Sequence, residues 1–226
     1  MHRCAKSAPE SHSPAAGWAG LGGTRAAGFT ILEMMVTVAL LAVLAAMGLA
    51  AYDRLTSQAN FSGVLGNLVT NLRRTRVEAA GRGVATSFVV DTAANRWWGI
   101  EAPLGWTVDS FDPAAPGKVI VSGTFPTGSG KTIFGPADGF GTALPAPFAT
   151  VPVISSQVPA LPYCSFCNAR GVGAIVFQPN GTASFSGGPT APLPQGQQFT
   201  VQSPVDGRTV LVAVVARTGL VEVFDR

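Results

Sequence analysis

A chain of 226 residues with 47% hydrophobic and 12% charged residues can bury one sizeable core, and its 27 glycines and 17 prolines argue for a loop-rich, strand-rich body over a helical bundle. The net charge of +3 gives no global argument for nucleic-acid binding: taking Arg3, Lys6 and Arg25 from the 15 basic residues and Glu10 from the 12 acidic ones leaves 12 and 11 beyond residue 28. His2, His12 and Cys4 lie in that same N-terminal stretch, so the remainder holds no histidine and two cysteines, Cys164 and Cys167.

The first predicted element is the apolar run from Phe29 to Ala51, 23 residues whose polar members are Thr30, Glu33 and Thr37. As a helix it spans about 35 Å, enough to cross a bilayer. An acid inside such a span costs about 2.5–3.5 kcal/mol, less near an end, so Glu33 is a functional candidate. A cleaved secretory signal is the alternative, with Arg25 as its basic region and a cut near Gly48, Ala50 and Ala51. Such signals carry about 7–15 apolar residues and no acid, which this run does not match. The helical pattern continues through Leu55, Phe61, Val64, Leu65, Leu68, Val69 and Leu72, one apolar stripe. With no proline between Phe29 and Gly81, a single long helix is expected, its second half laid on the body and its end set by Gly81 and Gly83.

Strands follow. "VATSFVVD" and "RWWGIE" read as a hairpin across "TAAN", and "KVIVSGTF" as a third strand. Residues 127–169 are rich in Gly, Pro and Ala and read as long loops with one short strand, "ATVPVIS". "GAIVFQPNGTASF" gives two strands around Asn180-Gly181, and "QQFTVQSP" with "TVLVAVVARTGLVEVFD" gives two or three more, turning at Asp206-Gly207 and Thr218-Gly219. The expected class is α+β, a long helix packed on antiparallel sheets.

Chemistry-bearing motifs are sparse. "FPTGSGKT" has Phe125 where a phosphate-binding loop needs its first glycine, and no amphipathic helix follows Lys131. Asp91, Glu101, Asp109, Asp112 and Asp138 show no pairing spacing, so no enzyme, cofactor or metal is expected. Trp97 and Trp98, adjacent in a strand, point to opposite faces, one into the core and the other exposed or under a loop. Arg73, Arg74, Arg76 and Arg82 form the densest charge. They either complement the helix C-terminus, with Glu78 offsetting one, or make a phosphate-contacting patch.

Gly28 followed by Phe29-Thr30-Ile31-Leu32-Glu33, then an unbroken apolar helix and Tyr52, resembles the prepilin signature of type IV pilins and type II secretion pseudopilins. The resemblance implies cleavage by a prepilin peptidase between Gly28 and Phe29, N-methylation of Phe29, and pairing of Glu33 with the N-terminal amine of a neighbouring subunit. "LRRTRVEAAGRGVATSFVV" and "AIVFQPNGTASF" resemble the GspH/FimT family of minor pilins and pseudopilins, while residues 127–169 lie outside that likeness as an insertion.

The implied organisation is a leader 1–28, a transmembrane half-helix 29–51, an amphipathic half-helix 52–82 and a β-rich periplasmic domain 83–226. A single-pass inner-membrane subunit is implied, with other minor and major pseudopilins, the prepilin peptidase and the inner-membrane assembly platform as partners. The preferred role is a type II secretion pseudopilin at or near the pseudopilus tip; a FimT-like minor pilin for DNA uptake and a secreted soluble protein are the rivals. FimT relatives carry Gly-Arg-x-Arg where this chain has Gly219-Leu220-Val221-Glu222. Nucleic acid is therefore not an expected partner, and Arg73, Arg74, Arg76, Arg82 and Arg217 would have to carry any DNA or partner contact. In an oxidising periplasm Cys164 and Cys167 would close a small disulfide loop, with free thiols as the alternative.

Overall fold

The computed structural model describes residues 28–126, 132–135, 144–149, 151, 163–187 and 196–225, the side chain of Ala50 excepted. Residues 1–27 of the leader, residues 127–131 of the "FPTGSGKT" motif, Asp138 and most of "ATVPVIS" lie outside them. The chain divides into two compact units, one ending at Met47 and one running from Gly48 to Arg226.

Helix α1 runs from Ile31 to Arg82, 52 residues without proline. Its start is set locally: Glu33 N donates to Thr30 Oγ1 at 3.2 Å and Met34 N to the Thr30 carbonyl at 3.1 Å, so Thr30 acts as the N-cap. Its end is set by Gly83, whose φ of 67° leaves the helix while its N–H donates to the Ala79 carbonyl. Gly81, expected to help end the helix, lies inside its last turn. In the second unit the helix buries Phe61, Leu68, Val69, Leu72, Thr75 and Ala79. Leu55, expected in that stripe, is exposed, and the buried face begins at Ser57 and Phe61.

Among the described residues nine strands follow: β1 Thr86–Asp91, β2 Arg96–Glu101, β3 Val119–Thr124, β4 Ile133–Phe134, β5 Val172–Phe177, β6 Ala183–Ser186, β7 Gln197–Gln202, β8 Thr209–Val214 and β9 Val221–Asp225. They form two antiparallel sheets, ordered β3-β2-β1-β5-β6 and β4-β7-β8-β9. The fold is thus the α+β class the sequence predicts, with the β1–β2, β5–β6, β7–β8 and β8–β9 hairpins where alternation and turn residues place them. In the first hairpin Asp91 Oδ1 accepts from the Ala93 and Ala94 N–H groups, and Asn95 takes a φ of 53°.

One face of each sheet joins α1 in the main core: Phe88 and Val90 of β1, Trp97 of β2, Ile175 and Phe177 of β5, Phe199 of β7 and Val210, Val212 and Val214 of β8. The helix comes closest at β2, where Gly99 faces Thr75. A Cβ at Gly99 would collide with Thr75 Oγ1 and Val121. Thr75 also turns its carbonyl to Thr86 Oγ1 at 2.7 Å, which ties helix to sheet.

The outer faces are covered by loops. Trp98, Val89, Ile100 and Ala174 pack under Val108 and Phe111 of the β2–β3 connection, so both tryptophans of the pair are buried, on opposite faces. Leu211 and Ala213 of β8 pack under Leu144, Phe148 and Val151. The described parts of the 127–169 segment are therefore cover and edge for the second sheet: Phe148 meets Phe224 edge to face, and β4, which the sequence reading missed, pairs with β7. Of "ATVPVIS", Ala149 and Val151 are described and neither is strand.

Candidate functional site

Two places collect the candidate residues. At the first, Gly28 has open space where a Cβ would stand, so nothing inside the described chain demands glycine there. Phe29, Ile31, Leu32 and the apolar side chains that follow as far as Leu49 are exposed, and an 18-residue window of α1 reaches a mean hydropathy of 2.4. The helix is long and apolar enough to cross a membrane once. Glu33 occupies the third helical position, three residues beyond the Thr30 cap, where an acid complements the N-terminal dipole. Its backbone N–H is taken by Thr30, while its carboxylate is exposed and has no hydrogen-bond or ion-pair partner among the described residues. The Thr30-x-x-Glu33 spacing is a capping-box signal legible in the sequence. The structure makes the Thr30 half of that box and not the Glu33 half, since the carboxylate reaches no backbone N–H among the described residues.

The second place is the end of α1. Here the arginines are drawn into the fold. Arg76 Nη2 donates to the Thr218 carbonyl at 2.8 Å and Arg73 Nη2 to the Val221 carbonyl at 3.5 Å, so both hold the β8–β9 turn. That turn is tight: Gly219 has a φ of 58°, and a Cβ there would stand 2.9 Å from the Gly181 carbonyl oxygen. Arg74 pairs with Glu78 at 3.8 Å. Arg82 binds Glu78 and also Glu101 at the end of β2, 2.9 Å away, and Lys118 reaches Glu101 at 2.6 Å.

The Lys118 hydrogen bond, then that of Arg82, holds the Glu101 carboxyl below the usual carboxylate range against the opposing effect of desolvation. Glu78, then Glu101, raises Arg82 further above its already basic value. Glu101 and Lys118 were not singled out by sequence reasoning as counter-charges of the basic set. No local spacing announces them, because the pairing joins a helix end to strand ends. Arg217 is exposed and has no ion pair among the described residues.

Cys164 and Cys167 are joined by a disulfide with Cα atoms 5.5 Å apart. Both are buried in the main core. Cys164 also bridges to Phe199 of β7, and Ser165 exchanges hydrogen bonds with Gln198, donating from N and Oγ to its carbonyl and accepting from its N–H. The pair thus fastens the end of the 127–169 segment to the second sheet. Among the described residues no group of three His, Cys, Asp or Glu side chains could hold a metal ion.

Residues 23–49 match the family described as the prokaryotic N-terminal methylation motif. No curated protein matches the chain. No solved structure does.

Proposed function

We propose that this type IV pilin-like protein is a minor pseudopilin, resembling GspH, that is built in at or near the tip of a type II secretion pseudopilus and supports protein export as an assembly and contact subunit. The N-terminal methylation motif implies processing by prepilin peptidase and assembly with other pilins. The observation that carries the reading is Glu33: an exposed carboxylate at the third position of a helix whose surrounding apolar side chains are also exposed. A charge bound for lipid or for a filament core is tolerable when paired and costly when alone. The amine of a neighbouring Phe29, set free by cleavage after Gly28, is the partner the motif offers. In this reading the globular domain lies in the periplasm and the span in the inner membrane.

The choice of a secretion role over DNA uptake is supported by the basic residues. Arg73 and Arg76 are committed to carbonyls of the β8–β9 turn, Arg74 and Arg82 to acids, and that turn presents Leu220 and Glu222 where a DNA-binding relative has arginines.

Mass analysis of the N-terminal peptide from the membrane fraction tests the reading. A methylated Phe29 as first residue, with co-purification of other pseudopilins, is expected. A mature N-terminus near Tyr52 would assign the chain to the secreted soluble class instead.

A further inference from the structure

Strand β3 is an edge of the five-stranded sheet, and its sequence, Val119-Ile-Val-Ser-Gly-Thr124, carries neither charge nor proline. Edges of this kind are normally blocked, because their outward N–H and C=O groups pair readily with another strand. The other edges are blocked here. β9 carries Glu222 and Asp225, the Ala183 N–H of β6 is taken by the Ala216 carbonyl at 2.7 Å, and β4 is two residues long. On the outer side of β3 no backbone partner is found among the described residues.

Behind β3 lies a groove of about 420 Å³, walled on one side by the strand and on the other by Asn67, Asn71 and Arg74 of α1, with Trp97 at its base. Trp97 is 2% exposed, yet its Nε1–H has no hydrogen-bond acceptor among the described residues. An indole N–H buried without a partner is uncommon. The ring lies against Gly123 of β3, and a Cβ there would run into the indole, with Nε1 2.8 Å away. The groove therefore offers two amides and a guanidinium, with the indole N–H buried beneath them. Its charge balance is cationic: Arg74 lines it, and Arg74, Arg82 and Lys118 outnumber the two acids they share, Glu78 and Glu101.

We propose that β3 and the groove behind it receive an extended acidic segment of another protein, added to the sheet as a sixth strand, with its carboxylates on the Arg74 side and the Trp97 indole, packed against Gly123 just beneath the new strand, reporting its arrival. Backbone pairing along an open edge supplies the affinity, and the cationic, donor-lined groove supplies the preference for acid. A second copy of this chain is a poor occupant, because its own β3 edge, Val119–Thr124, carries no acid to meet the groove. The proposal rests on the unit from Gly48 onward and not on which filament the chain serves.

The test uses the full mature chain in detergent micelles with 15N-labelled tryptophan. It is titrated with three capped peptides: Thr-Val-Glu-Val-Glu-Val-Thr, the same peptide with lysine for glutamate, and the same peptide with proline for its central valine. The acidic strand peptide should bind saturably and move the Trp97 indole resonance, the other two should bind at least ten-fold more weakly, and Arg74→Glu, an exposed change, should weaken the acidic peptide at least ten-fold. Binding that leaves Trp97 unmoved, equal binding of the lysine or proline peptide, or no saturation up to about 1 mM would overturn it. So would a dimer in sedimentation that Ser122→Pro dissolves, since that makes the occupant a second copy.

Discussion

The helix start at Glu33 is held through its backbone, whose N–H meets the Thr30 hydroxyl, while the carboxylate has no partner among the described residues, so Glu33→Gln keeps the cap and removes the charge. If the carboxylate pairs with a neighbour's amine, Glu33→Gln should lower filament incorporation as far as Glu33→Ala while cleavage after Gly28 continues; co-purification with partner pilins and the mature N-terminus are the readouts. Normal incorporation of the glutamine variant would contradict the pairing. At the other end of α1, Gly99 is the residue that lets the helix approach the sheet. Gly99→Ala places a methyl against Thr75 and Val121, an overpacking that should cost about 1–3 kcal/mol, read as a lower midpoint in urea unfolding.

The same local-versus-tertiary contrast governs the elements. The Cys164–Cys167 loop is four residues long, and from the sequence its entropic contribution falls at the low end of the usual range of about 2–4 kcal/mol. Burial changes that expectation. Both side chains sit in the main core, so replacement of both by serine also buries hydroxyls, at about 1–3 kcal/mol for each left unbonded. The double serine variant should therefore be clearly less stable than the double alanine variant, and equal unfolding midpoints would contradict this.

Where α1, β2 and the start of β3 meet, Glu101 joins Arg82 and Lys118. Its pKa is lowered in the folded chain, so its contribution is present above the ordinary glutamate value near 4.5 and is lost as pH falls through the lower folded value. The stability gap between the native chain and Glu101→Gln should be constant from neutral pH down to about 5 and should close below that. A gap that does not narrow as the pH is lowered below the ordinary glutamate value would contradict this. The group is exposed to solvent, and the effect is correspondingly small.

For the whole molecule, the engagement of the arginines predicts weak DNA binding. With Arg73 and Arg76 on backbone carbonyls and Arg74 and Arg82 on acids, few phosphate contacts remain and the salt slope should be shallow. Full-length mature chain in detergent, titrated with labelled duplex at several salt concentrations, should show little binding at physiological salt. Micromolar affinity with a steep slope would favour DNA uptake.

The sequence by itself determined the elements. Uninterrupted apolar and then amphipathic periodicity defined α1, alternation defined β1–β3 and β5–β9, and Asn-Gly, Asp-Gly and Thr-Gly pairs placed the turns, because each of these signals acts through neighbours a few residues away. β4 escaped it, being two residues held by β7 with no pattern of its own. Only the tertiary structure decided that Trp98 is covered by the Val108–Phe111 loop, that Leu144, Phe148 and Val151 cover the second sheet, that Arg73 and Arg76 hold the β8–β9 turn while Arg74 and Arg82 pair with Glu78 and Glu101, and that β3 is an edge beside a Trp97 indole with no hydrogen-bond partner among the described residues. Each of these joins residues far apart in the chain. Burial and charge pairing there depend on which surfaces the packed helix and sheets bring together, and no local spacing encodes that.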